Sequence, residues 1–177
     1  MALYQSRKLE PLIYIALGMF FAGLLAFVLS GDQMEVTFDA GRLAMFGLGI
    51  GVILATILCF IVGKYSLRTI SGGTKLAVLL LMWQGIVLAA CAFAFYSNTA
   101  IAIQPLQVVP MTILSKQEGK GMVQHWYALR VAVDGRSEQV YVCPEVWNNI
   151  DTKQRNFDVP VSTGLWGYLY TSAPNCS

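Results

Sequence analysis

The sequence predicts an α-helical membrane domain of three transmembrane helices, followed by a small all-β extracytoplasmic domain of about five antiparallel strands. Three long apolar stretches in the first half predict the helices, and alternating, β-branched sequence beyond residue 97 predicts the strands. We expect a membrane domain over 1–96, a linker over 97–105 and a β domain over 106–177. The strands are expected to form a meander or a small barrel.

The three apolar stretches cover residues 12–30, 43–63 and 76–96, and none contains Asp, Glu, Lys, Arg or His. A hydrocarbon core of roughly 30 Å needs ~20 apolar residues at ~1.5 Å rise each, so each stretch is long enough to cross a bilayer. The first stretch follows Arg7 and Lys8, as the apolar part of a signal peptide would. Because it is longer than the usual ~7–15 residues of such a segment, we expect a retained helix.

The charges that flank the apolar stretches predict an orientation. Lys and Arg in short loops stay on the cytoplasmic side. Residues 1–11 and 64–75 are basic, whereas 31–42 is mainly acidic. The sequence therefore predicts a multi-pass protein of the bacterial inner membrane. Its N-terminus is expected in the cytoplasm, with the loop 31–42 and the β domain in the periplasm.

The four cysteines divide between the two domains. Cys59 and Cys91 lie in apolar stretches, whereas Cys143 and Cys176 belong to the β domain. Two thiols in a small domain that faces an oxidising compartment tend to pair. We expect a Cys143–Cys176 disulfide, which would stabilise the fold by about 3–4 kcal/mol in the chain-entropy model. The alternative is two free thiols in a cytosolic domain.

Small residues recur every fourth position in the apolar stretches, and such stripes let helices approach closely in lipid. The predicted helix-packing residues are Gly47, Gly51, Ala55 and Gly63 in the second helix, and Gly18 and Ala22 in the first. We favour packing among the three helices. The alternative is docking against another membrane subunit.

Polar side chains inside the spans are few. Thr56 is expected to bond to its own helix, and Gln84 is expected to hydrogen bond to a neighbouring helix. The alternative for Gln84 is a place on a substrate path. The spans contain no acid, base or histidine, so a proton relay has no obvious carrier.

The β domain has clear turn signals. Asp134-Gly135 predicts a two-residue hairpin turn, Pro144 predicts the start of a helical turn through Ile150, and 164–167 predicts a tight hairpin tip. The predicted strands cover 106–115, 122–133, 137–142, 157–162 and 165–171.

The β domain is rich in aromatic residues, and these are expected to serve mainly as core. Any exposed surplus would mark a partner contact, for which the candidates are Trp126, Trp147 and Trp166. The six basic and six acidic residues of 97–177 cancel, so the charge pattern does not indicate nucleic-acid binding.

The residues that carry chemistry are sparse. His125 is the only histidine, too few for a metal site once the two domain cysteines pair, and no nucleophile-elbow, phosphate-loop or haem-attachment motif occurs. We expect His125 to be structural. The sequence therefore predicts no catalytic residues, no metal and no cofactor, and a protein that is not an enzyme.

Three functions remain open. The first is an accessory or scaffold subunit that packs with other membrane proteins through its helices and presents a β domain outside the membrane. Its expected partners are membrane lipids and other membrane subunits, or a second copy. The second is an oligomeric transporter or channel component with a path along Ser30, Thr56 and Gln84. The third is a membrane-bound extracytoplasmic enzyme that uses His125.

Overall fold

The structure is a computed structural model, and it describes residues 2–67, 72–120, 125–133, 135–150 and 156–171. The chain forms two compact units. One is helical and consists of Met1–Gly31 and Gly41–Tyr96; the other consists of Asp32–Ala40 and Ser97–Ser177. The loop after the first long helix therefore belongs to the same unit as the β domain, which the sequence does not reveal.

The long helices are α1 (Ala2–Leu29), α3 (Ala40–Tyr65) and α4 (Gly72–Ala100), and the short α2 covers Gly31–Val36. Three segments are long and apolar enough to cross a membrane by length and composition: Pro11–Val36, Ala40–Tyr65 and Gly72–Ala100. The prediction of three long apolar helices is confirmed.

The second unit is built on an antiparallel sheet. Its strands are β1 (Ala102–Lys120), β2 (His125–Val133), β3 (Arg136–Tyr141), β4 (Asn156–Gly164) and β5 (Leu169–Thr171), in the order β3-β2-β1-β4-β5. The first half of β1 pairs with β4 and its second half pairs with β2. The predicted meander is therefore confirmed for β1 to β3, which pair in chain order. It is wrong for β4, which pairs with the edge of β1 opposite to β2.

Two predicted boundaries are wrong. Only Ile101 separates α4 from β1, so the region 97–105 is helix end and strand start rather than a linker. The reason is that β4 extends far enough to pair with the first residues of β1. The predicted strand 165–171 is also too long, since a tight turn occupies its first half and β5 begins at Leu169.

The predicted local signals agree with the structure. Val133 pairs with Arg136, and Gly135 adopts φ 75°, as a two-residue primed turn requires. The short helix α5 covers Pro144–Asn149, with proline at its first position and Cys143 at its N-cap.

One face of the sheet carries the hydrophobic core of the second unit. Its members come from all four longer strands, from the segment after α5 and from the loop after α2. The fully packed residues are Phe38, Met111, Leu129, Val131, Val140, Ile150, Val159 and Val161.

Candidate functional site

The segment 37–39, between α2 and α3, adds to the sheet of the second unit at its β5 edge. Thr37 forms an antiparallel bridge with Tyr170, and the Phe38 N–H donates to the Leu169 carbonyl at 2.8 Å. The Phe38 ring is buried in the core. Phe38 therefore completes the core of the β domain, and Thr37 extends the sheet at β5. Both residues precede β1 by more than 60 positions in the chain.

Charged contacts hold the same segment against β3. The Asp39 carboxylate accepts a hydrogen bond from the Arg136 guanidinium at 2.8 Å, and the Asp39 N–H donates to the Glu138 carboxylate at 3.3 Å. Asp39 has φ 54°, the left-handed region that Asp tolerates better than most residues. Burial raises the pKa of the nearby Tyr141 phenol, and the negative charge of Glu35 raises it further, which keeps the phenol neutral.

The last turn of α4 and the turn between β4 and β5 form a polar junction. The Asn98 side chain is fully buried; its amide NH₂ donates to the Tyr168 carbonyl, and its oxygen accepts from the Trp166 N–H, both at 3.2 Å. The Trp166 indole N–H donates to the Ser97 hydroxyl at 2.7 Å. A Cβ at Gly164 would collide with Asn98. The junction therefore depends on an amide at 98 and a glycine at 164.

The three tryptophans predicted as partner contacts are all half-buried and make contacts inside the second unit. Trp126 packs over Gly119 and edge-on to Tyr141. The Trp147 ring is tilted against the Tyr127 ring, with the ring centres 5.3 Å apart. The Lys116 ammonium nitrogen lies over the Trp147 ring, 4.4 Å from its centre. Its indole N–H is buried with no hydrogen-bond partner among the described residues. These aromatic residues therefore serve the fold, and their predicted role in partner contacts stays a prediction.

The small-residue stripe of α3 packs against α4. Gly47, Gly51, Ala55 and Gly63 are all buried. A Cβ on Gly47 would lie 2.9 Å from the Cα of Cys91, and one on Gly51 would lie 3.0 Å from the Cα of Val87. Any larger side chain at these two positions would force the helices apart.

The stripe of α1 behaves differently. Gly18 and Ala22 are exposed, and a Cβ on Gly18 would meet nothing within 4 Å. The close approach of α1 to α4 instead uses Gly23 and Gly85, where a Cβ on either glycine would collide with the backbone of the other helix. Gly18 and Ala22 are thus exposed on α1 rather than packed against the described helices, and their contact with another protein stays a prediction.

The polar side chains of the helices fall into two groups. The Thr56 hydroxyl donates to the Val52 carbonyl at 2.7 Å, as expected, and accepts a long bond from the Trp83 indole at 3.4 Å. Ser30 likewise donates to Phe27 of its own helix. Gln84, in contrast, is exposed on α4 and makes no hydrogen bond to any described residue. The bond from Gln84 to a neighbouring helix of the same chain is not formed.

The cysteines divide as the sequence suggests. The free thiols of the described residues are Cys59 and Cys91 in the long helices, and Cys143 is not among them. Cys143 is buried at the N-cap of α5, whereas Cys176 lies outside the described residues. The pairing of these two residues therefore stays a prediction.

The sequence analysis does not identify a set of exposed aliphatic side chains at the start of β1 and just before it. We call it the β1 apolar patch, and it consists of Ile101, Ile103, Leu106 and Val108, the last two 61% and 64% exposed. Val109 and Met111 face the core, so Val108 points to the opposite face of the sheet. The sequence signal is that apolar residues occupy both alternating sets of positions in 106–114, which gives both strand faces apolar residues: Leu106, Val108 and Leu114 in one set, and Val109, Met111 and Ile113 in the other.

Acid, base and metal-binding side chains do not gather. Among the described residues, no three His, Cys, Asp or Glu side chains lie close enough together to hold a metal ion. The backbone of His125 pairs with Lys120 at the start of β2, and its side chain lies outside the described part of the chain.

The structure thus offers apolar surfaces and packing contacts. It brings together the loop 32–40, the end of α4 and the sheet edge at β5, and it leaves the β1 apolar patch uncovered. Comparison with known protein families, with characterised proteins and with solved structures finds no match to this chain.

Proposed function

We propose that this protein is an accessory or scaffold subunit of a membrane assembly, which packs with other membrane proteins through its helices and presents its β domain outside the membrane. The β1 apolar patch carries this proposal. Four large aliphatic side chains within eight residues are exposed, from the end of α4 into the first half of β1, whereas Met111 farther along the same strand is buried in the core. An uncovered cluster of this kind typically marks a binding surface.

The position of the patch favours a partner that is itself at the membrane. Ile101 follows directly on the last residue of α4, so a protein that covers the patch lies next to the point where that helix ends. Burying one Leu, Ile or Val side chain stabilises a contact by about 1.5–3 kcal/mol, before the cost of association is subtracted.

The orientation and the disulfide belong to the same proposal. The basic segments 1–11 and 64–75 favour the cytoplasm of a bacterium, and the acidic loop 31–42 favours the periplasm. Support for this topology comes from Asp32–Ala40, which belongs to the same compact unit as the β domain. We further propose that Cys143 pairs with Cys176 in that compartment, that the protein needs no cofactor and that it is not an enzyme.

Co-purification in mild detergent tests the proposal. The tagged full chain, expressed at its native level, is expected to elute as part of a larger assembly. A double variant, Leu106→Lys with Val108→Lys, should lose the partner, because two charges then sit in the contact. Gln139→Lys, an exposed residue on β3, is the matched control and should keep it.

The possible results distinguish the accessory role of the protein from the role of the β1 apolar patch. A monodisperse monomer recovered from wild-type cells would contradict the accessory role. A partner that stays bound to the double variant as tightly as to Gln139→Lys would instead show that the β1 apolar patch is not the contact.

A further inference from the structure

Gln84 is a polar residue in the middle of a long apolar helix, and its side chain is exposed. It lies 12 residues after Gly72 and 16 before Ala100, which at ~1.5 Å rise places it about 18 and 24 Å from the helix ends. A glutamine side chain is far shorter than either distance, so it cannot reach water at the membrane surface. In lipid its amide needs a protein partner.

The part of the chain that the structure describes does not supply that partner. Gln84 makes no hydrogen bond to any described residue, although its neighbour Trp83 bonds to Thr56 on α3. The next residue, Gly85, faces α1. The two intramolecular contact faces of α4 are therefore occupied, and Gln84 points to a third face.

The residues around Gln84 form a seam suited to another helix. Ala77, Leu80 and Gln84 are all exposed, and their spacing of three and four residues puts them on one stripe of α4. Leucine and alanine beside a single polar residue is the pattern that gives a helix contact both packing and register.

We propose that α4 binds α4 of a second copy of this chain through this stripe, with the two Gln84 amides bonded to each other. Two copies inserted with the same topology have parallel α4 helices, so a two-fold axis along the membrane normal brings the two Gln84 residues to equal depth. Each amide has donors and an acceptor, so the pair exchanges two hydrogen bonds and satisfies itself. This inference names one partner for the accessory role and rests on that role.

Energy transfer between labelled copies tests the contact. Donor-labelled and acceptor-labelled full chains are reconstituted together in phosphatidylethanolamine–phosphatidylglycerol vesicles and diluted with lipid. We expect transfer that persists on dilution for the wild type. Gln84→Leu should weaken association about 3- to 30-fold, because losing an interhelical hydrogen bond of this kind lowers the association constant by about that factor. Gln84→Asn keeps an amide and should recover part of the loss.

Thr56→Val is the matched control. It removes another exposed mid-span polar group, but one whose hydroxyl already bonds to Val52 and Trp83 of the same chain, so association between copies should not change. In a background without Cys59 and Cys91, Leu80→Cys should cross-link between copies under oxidation, and Phe93→Cys, on a different face of α4, should not.

Equal energy transfer in Gln84→Leu and wild type, or cross-linking through Phe93→Cys alone, would overturn the inference. A larger assembly found by co-purification together with no transfer between copies would reject self-association and leave the accessory role standing. A chain that is monomeric in both experiments would reject both.

Discussion

Two residues far apart in the sequence depend on each other at the polar junction. Asn98 lies in the last turn of α4 and is completely buried, and both halves of its side-chain amide are bonded to the turn between β4 and β5. Gly164 leaves the space that the Asn98 side chain fills. A buried amide with its bonds made is stable, whereas the same groups without partners are costly, so this contact should be sensitive to small changes.

Gly164→Ala should therefore destabilise the β domain by about 1–3 kcal/mol, the usual cost of adding a carbon to a packed site. Gly41→Ala is the matched control, because a Cβ there meets nothing within 4 Å. Thermal unfolding of the full chain in mild detergent, followed by near-ultraviolet circular dichroism, measures both. Equal midpoints for the two variants would show that the collision at Asn98 is relieved at no cost.

At the scale of elements, the short connection between α2 and α3 is part of the β domain. It contributes a bridge to β5, an ion pair to β3 and a ring to the core. One core residue of this domain, Phe38, comes from the connection that precedes α3 and α4 rather than from the sequence of the domain itself. The second unit is therefore built from two stretches of the chain that two long helices separate in sequence.

Phe38→Ala should destabilise the β domain by about 3–5 kcal/mol, because it empties a large buried site in the core. Glu35→Ala, a change at an exposed residue of the neighbouring α2, should shift stability by no more than about 0.5 kcal/mol. Limited proteolysis of the full chain in detergent follows cleavage within 102–171. Unchanged protection in Phe38→Ala would mean that the loop rests on the domain without supporting it.

The helices and turns also show which structural features local sequence patterns predict. The three apolar helices, the turn at Gly135 and the helix at Pro144 follow from local signals, namely length, a primed-turn pair and a proline at a helix start. The contacts of Phe38, Asn98 and Gly85 do not, since each pairs residues separated by tens of positions. Periodicity identifies a small residue on a helix, but Gly18 and Gly85 look alike in sequence although only Gly85 is packed.

The whole molecule has a consistent organisation along the chain. Three helices that are able to cross a membrane alternate with connections, and the first connection joins the unit that follows the third helix. In the topology that we propose, three crossings put these two parts on one side and the connection after α3 on the other. The packing of Asp32–Ala40 and the charge pattern are independent observations, and both are consistent with this alternation.

Cysteine labelling in intact cells measures on which side of the membrane each connection lies. In a background without Cys59 and Cys91, single cysteines replace Asp32, Gln139 or Ser66, all of which are exposed. The parent without an added cysteine supplies the background. We predict that a membrane-impermeant maleimide labels Asp32→Cys and Gln139→Cys in intact cells, and labels Ser66→Cys only after the membrane is permeabilised. Labelling that differs between Asp32→Cys and Gln139→Cys, or that reaches Ser66→Cys in intact cells, would contradict the account.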